Sequence, residues 1–163
     1  MTGQDESGRG PDAGEAECRF CQVVSGVAPA LVVFEDAQLL AFLDHRPLFP
    51  GHVLLVPREH HQTLPELPPH LVAPLFLKAQ LLARAVEVAL KAEGSFLALN
   101  NRVSQSVPHL HLHIIPRRYH DGLKGFFWPR VGYRDEEHQL QTAHLIREAA
   151  QRLALTGLGA QPG

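Results

Sequence analysis

Long apolar runs are missing from this sequence of 163 residues. No stretch approaches the roughly 20 apolar residues that a membrane helix needs, and none opens the chain. Neither a secretory signal nor a membrane span is expected, and a cytoplasmic protein is the default expectation. A strong charge of either sign is also missing. Fifteen Lys and Arg stand against 17 Asp and Glu, for a formal charge of −2. That balance gives no case for a nucleic-acid partner. Cysteine is scarce as well. The only two form one unit, Cys18-Arg19-Phe20-Cys21. In a reducing compartment such a pair reads as a metal or redox unit rather than a structural staple. A redox role would be accompanied by a βαβ pattern, which is absent. By itself the pair makes at most half of a tetrahedral zinc site.

What is present is enough for one core. Hydrophobic residues make up 45% of a chain with one domain's worth of residues. Residues 1–16 are Gly-rich, charged and nearly free of large apolar groups. They bury too little surface to offset ordering entropy, so a disordered tail is expected there. The single domain is expected to span 17–155, with a second tail at 156–163.

The most informative stretch is Pro108-His109-Leu110-His111-Leu112-His113-Ile114-Ile115-Pro116. In an extended strand, successive side chains point to opposite faces. His109, His111 and His113 would share one face, while Leu110, Leu112 and Ile114 would enter a core. Imidazole titrates nearest neutrality, so three in a row suit proton transfer, nucleophilic attack or metal binding. A merely polar strand face is the plainer alternative.

Around this stretch the pattern alternates between strand and helix. Short apolar runs at 31–34, 39–43 and 53–56 read as strands, the last apolar enough to be buried on both faces. Cys18 begins one or two helical turns that end by Gly26. Residues 71–92 switch to period 3.6 through Val72, Leu75, Phe76, Ala79, Leu82, Ala83 and Val86. Pro74 is expected in the first turn of that helix, where proline is tolerated, and Gly94 at its end. Leu77, Leu81 and Val88 form a second stripe, suited to a wide core contact or to a dimer interface. Residues 96–99 begin a fourth strand, and a polar turn over 100–104 leads as a hairpin into the histidine strand. After a long loop containing Phe126-Phe127-Trp128, Asp135 is expected to cap a helix reaching about residue 155. Its stripe is Thr142, Leu145, Ile146, Ala149, Ala150 and Leu153.

His109-Leu110-His111-Leu112-His113-Ile114-Ile115 resembles the motif of the histidine triad (HIT) family, three histidines alternating with apolar residues. The resemblance extends to Cys18 and Cys21, Val33-Phe34-Glu35-Asp36, Asp44, Pro50-Gly51-His52 and Val56-Pro57-Arg58-Glu59-His60. It follows the bacterial HIT pattern over about 17–118, leaving 119–155 as a C-terminal extension. It implies an α+β fold: an antiparallel sheet of about five strands with a long helix, here followed by a C-terminal helix. It also implies a homodimer whose sheets join across that helix.

The same resemblance implies chemistry at the α-phosphate of a nucleotide. His111 would be the nucleophile, forming a nucleotidyl-histidine intermediate that passes to water. His113 would bind the phosphate and stabilise its developing charge, and Ser106 would assist the departing group. Asp44 would bind the ribose hydroxyls. Gln105, Asn100 and Asn101 are further candidates for substrate contact. A structural zinc would be held by Cys18, Cys21, His60 and His109; the competing role for His109 is to orient His111. Nucleoside phosphoramidates or adenylates are the expected substrates, as in the Hint-like branch. The alternatives are a Fhit-like dinucleoside polyphosphate hydrolase, a nucleotidyltransferase, a nucleotide-binding regulator without turnover, and a zinc-stabilised interaction module.

Overall fold

The computed structural model of the chain describes residues 18–123 and 131–156. The chain divides into two compact units, with the boundary after Tyr119. The first contains a short helix α1 (Arg19–Val24), strands β1 (Val32–Glu35), β2 (Leu39–Leu43) and β3 (Val53–Pro57), helix α2 (Pro69–Leu90), and strands β4 (Gly94–Ala98) and β5 (Leu112–Arg117). The strands form one antiparallel sheet in the order β1-β2-β3-β5-β4. The second unit contains helix α3 (Glu136–Thr156). Asp135 caps α3 by accepting the His138 N–H at 2.6 Å. No helix among the described residues is long and apolar enough to cross a membrane.

Alternation along the central strands builds two apolar layers. Leu39 and Ala41 of β2, Val53 and Leu55 of β3, and Leu112 and Ile114 of β5 meet Leu71, Leu75, Ala79, Leu82 and Val86 of α2. The opposite faces of β2 and β3 carry Leu40, Phe42, Leu54 and Val56, which pack with Cys18 and Phe20. β3 is buried along its whole length, as an apolar strand between two layers must be. β2 and β3 pair without interruption, and Leu54 stands opposite His113 on β5. The register therefore delivers His113 to the α1 side of the sheet.

Several boundaries differ from the sequence reading. β5 starts at Leu112, not His109. Pro108 has no N–H to give to a ladder, and the Leu110 N–H is taken by the His61 carbonyl at 2.6 Å. The two-face alternation continues without the ladder, since Leu110 is fully buried in the α2 layer. The expected hairpin turn is correspondingly a longer connection, from 99 to 111. β5 also runs on through Pro116, which lies beyond the last β3 pair at Ile114 and has only β4 beside it.

α2 begins at Pro69, so Pro74 sits in the second turn rather than the first and leaves the carbonyl four residues earlier without its helical donor. The helix ends on Lys91 in a left-handed conformation, ahead of Gly94. Arg118 donates to the free carbonyls of Leu90 and Lys91 at 2.6 and 2.8 Å. That places Arg118 in a helix cap. Lys124, Phe126, Phe127, Trp128 and Arg130, and the expected tail at 1–16, lie outside the described residues. The described side chains of α3 end at 149, so Ala150 and Leu153 of its expected stripe lie outside them.

The turn before β3 depends on Gly51. Its φ is +95°, and a Cβ there would run into the Leu90 side chain. Both the conformation and the close approach require glycine. Gly51→Ala should lower stability by roughly 2 kcal/mol or more, read as the midpoint of denaturant unfolding. An unchanged midpoint would show that the turn relaxes freely.

Candidate functional site

His111 is held by its own neighbour. Its Nδ1 lies 2.6 Å from the His109 carbonyl oxygen. A carbonyl can only accept, so Nδ1 carries the hydrogen and Nε2 keeps its lone pair. The side chain is buried, and burial pushes its pKa below the usual histidine value. The bond to the carbonyl opposes that shift. The Phe20 ring meets the imidazole edge-on, with centroids 5.1 Å apart. The result is a fixed, neutral imidazole with one free nitrogen.

His113 has the opposite tautomer. The Leu48 N–H points at Nδ1 of His52, at 3.2 Å, so that nitrogen accepts. Nε2 of His52 therefore carries the hydrogen and donates to Nδ1 of His113 at 2.9 Å. This leaves the proton of His113 on Nε2. Burial, then the neighbouring His111 and His52, push the His113 pKa down to about 4. Burial also lowers that of His52, against the pull of Asp44. Oδ2 of Asp44 is 3.7 Å from Nδ1 of His52. With His52 neutral and its Nδ1 already accepting, this contact is not an ion pair. The other Asp44 oxygen accepts the Arg46 N–H at 2.9 Å.

Asp44, Ser106, His111 and His113 line one cavity of about 770 Å³, a size suited to a small organic ligand. Its remaining wall is largely apolar and includes Phe20, Val23, Leu31, Phe42, Leu54 and Val107. Gln105, Asn100 and Asn101 do not line it. Gln105 accepts the Arg102 N–H at 2.8 Å and donates to the Gln62 carbonyl at 2.6 Å. Asn101 accepts the Leu64 N–H, and Asn100 donates to the Ser104 carbonyl. All three staple the loop that carries Ser106, through which residues 102 and 104 pass with positive φ.

Cys18, Cys21, His60 and His109 converge on the other side of His109. One ligand atom from each lies within 4.8 Å of the others. Nδ1 of His109 is 3.5 Å from both sulfurs, and Nδ1 of His60 is 3.2 Å from Sγ of Cys21. A tetrahedral Cys₂His₂ zinc site, with its usual bond lengths, would space nitrogen and sulfur by about 3.5 Å. The His109 tautomer also fits. Its Nε2–H donates to the Pro57 carbonyl at 2.8 Å, leaving Nδ1 free to ligate. Asp44, His52 and His113 also lie close together. Their facing His52 and His113 nitrogens share a hydrogen, so that set does not present a ligand pair.

The sequence reading left two participants unassigned. His52 read as part of a turn, although Pro50-Gly51-His52 belonged to the recognised pattern. Phe20 carried no reading of its own within the Cys18–Cys21 unit. Nothing local in the sequence marked its contact with His111.

Residues 25–120 match the HIT domain family. An adenylylsulfatase of Arabidopsis thaliana is 38% identical over 137 residues, which are 83% of this chain and 65% of that protein. This chain therefore spans just under two thirds of that relative's length. An adenosine 5'-monophosphoramidase of Schizosaccharomyces pombe is 35% identical over 74% of this chain and 89% of its own. The crystal structure of a zinc-bound histidine triad family protein from Mycobacterium smegmatis superimposes with a TM-score of 0.64 at 37% identity. It covers 84% of this chain and 99% of its own. With the family match spanning the sheet, and His109, His111 and His113 alternating with leucines into β5, the chain belongs to the HIT domain family.

Proposed function

We propose that the protein hydrolyses nucleoside phosphoramidates or related adenylates at the α-phosphorus, releasing the nucleoside monophosphate. The opposite tautomers of His111 and His113 carry this reading. One imidazole offers a lone pair and the next an N–H, 4.9 Å apart between ring centroids. A displacement at phosphorus needs that pairing of nucleophile and oxyanion donor. Names among the relatives, an adenylylsulfatase and an adenosine 5'-monophosphoramidase, support the substrate class.

In this reading Nε2 of His111 attacks phosphorus and the bond to the leaving group breaks. The Nε2–H of His113 donates to a phosphoryl oxygen and stabilises its growing charge. Ser106 gives a hydrogen bond to the departing atom, and Asp44 accepts from the ribose hydroxyls. Water then attacks the phosphorus on His111, the P–N bond breaks and the imidazole is regenerated; the proton that water gives up balances the one that the departing group takes. Fixing a neutral imidazole in place removes most of the entropic cost of bringing nucleophile and phosphorus together.

Zinc in the Cys₂His₂ set would be structural, because four protein ligands leave no open position. It would tie α1, and so Phe20, to the segment that carries His111. Support comes from the ligand spacing and from the zinc-bound mycobacterial relative. A homodimer is proposed through the outer stripe of α2, where Leu77, Leu81 and Val88 remain 64%, 50% and 76% exposed in the single chain.

Two outcomes test this account. His111→Ala should lower the release of nucleoside monophosphate from adenosine phosphoramidate by roughly 10³-fold or more, while product binding persists. Retained turnover would remove His111 as the nucleophile. The purified protein should carry one zinc per chain, lost in a Cys18→Ser, Cys21→Ser double variant together with several degrees of melting temperature. A metal-free wild type that neither takes up zinc nor gains stability from it would contradict the metal assignment.

A further inference from the structure

The cavity holds more hydrogen-bond donors than the proposed reaction uses. Arg19 and His45 both line it, and neither has a task at phosphorus. An Arg19 guanidinium nitrogen donates to Nε2 of His45 at 3.5 Å. Nδ1 of His45 lies 3.7 Å from an Asp44 oxygen. The guanidinium is thus tied back, through an imidazole, towards the carboxylate beside the reacting end. Arg19 is exposed, and the His45 side chain is 59% exposed. The pair therefore stands at the mouth of the cavity, whereas His111 is buried inside it.

We infer that Arg19 reads the edge of the nucleotide base and selects guanine over adenine. This rests on the nucleotide reading given above and adds a preference among purines, under which adenine compounds bind more weakly and are still substrates. The apolar stretch of wall, with Phe20, Val23, Leu31 and Phe42, accepts the flat faces of any purine. Stacking there does not tell one purine from another; the edge facing the mouth must do so. Arg19 precedes Phe20 on α1 and lies one helical turn before Val23, so it projects beside that wall.

A guanidinium has five donors and no acceptor. It fits an edge that only accepts. Guanine presents N7 and O6 together, and the two match the guanidinium fork. Adenine presents N7 beside an amino group whose hydrogens would face those of Arg19. The present bond to His45 is at the long limit for a hydrogen bond, so exchanging it for base contacts costs little. His45 is then a positioning residue that keeps the guanidinium at the rim.

The test is equilibrium binding of the products GMP, IMP and AMP to the full-length protein, so that turnover does not interfere. GMP should bind roughly tenfold more tightly than AMP. IMP has the same N7 and O6 edge without the 2-amino group and should follow GMP. Arg19→Met should bring the GMP-to-AMP ratio close to one. Arg19→Lys, a single-point donor, should leave an intermediate ratio. Equal affinities in the wild type would overturn the assignment while leaving the nucleotide reading intact. So would a preference that survives Arg19→Met, or IMP binding as weakly as AMP. Failure to bind any of the three would overturn both.

Discussion

The site depends on one hydrogen bond, from Nδ1 of His111 to the carbonyl of His109. Imidazole has two nitrogens that exchange roles, and only one of them faces a ligand usefully. Pinning the hydrogen on Nδ1 decides the matter, since a carbonyl has no hydrogen to offer in return. Burial then keeps the ring neutral by disfavouring its charged form. Conformation and protonation are set before any ligand arrives, which is the preorganisation that catalysis by positioning requires.

His109 connects two sites through two different groups. Its side chain faces the cysteines through Nδ1 and the Pro57 carbonyl through Nε2. Its own carbonyl orients His111. A shift of the His109 ring would therefore move the acceptor that fixes His111. Cys18 and Cys21 bracket Arg19 and Phe20, so the unit proposed to hold zinc also positions part of the cavity wall. Across the cavity, a relay from the Leu48 N–H through His52 does for His113 what the carbonyl does for His111, with the opposite tautomer as its result. An unpartnered buried nitrogen would cost on the order of 1–3 kcal/mol. Here Nδ1 of His111, Nδ1 of His113, both nitrogens of His52 and Nε2 of His109 each have a protein partner.

Much of this was legible in the residues. The two-residue spacing of histidine against leucine showed which side chains would share a face, and it did so even where the β ladder is absent at 109–111. The apolar run from Val53 to Val56 identified the doubly buried strand, and period 3.6 identified α2. The cluster of Cys18, Cys21, His60 and His109 came from family resemblance, and the fold brings those residues together across 91 positions of sequence. Less legible was whatever depends on tertiary hydrogen bonding. Asn100, Asn101 and Gln105 have the right chemistry for a phosphate, but the loop engages one polar atom of each asparagine and both of Gln105, away from the cavity lining. His52 sat in a turn sequence, and only the register of β3 against β5 places it beside His113. The start of α2 was misplaced because periodicity marks a buried stripe, not the first residue of a helix.

The most direct measurement is the nitrogen-15 NMR signature of the histidine rings at neutral pH, with no substrate present. It reports which nitrogen of each imidazole carries the hydrogen. The account predicts neutral rings, with His111 protonated on Nδ1 and His113 on Nε2. Finding His111 protonated on Nε2, or doubly protonated, would leave no lone pair facing the cavity and would contradict the account.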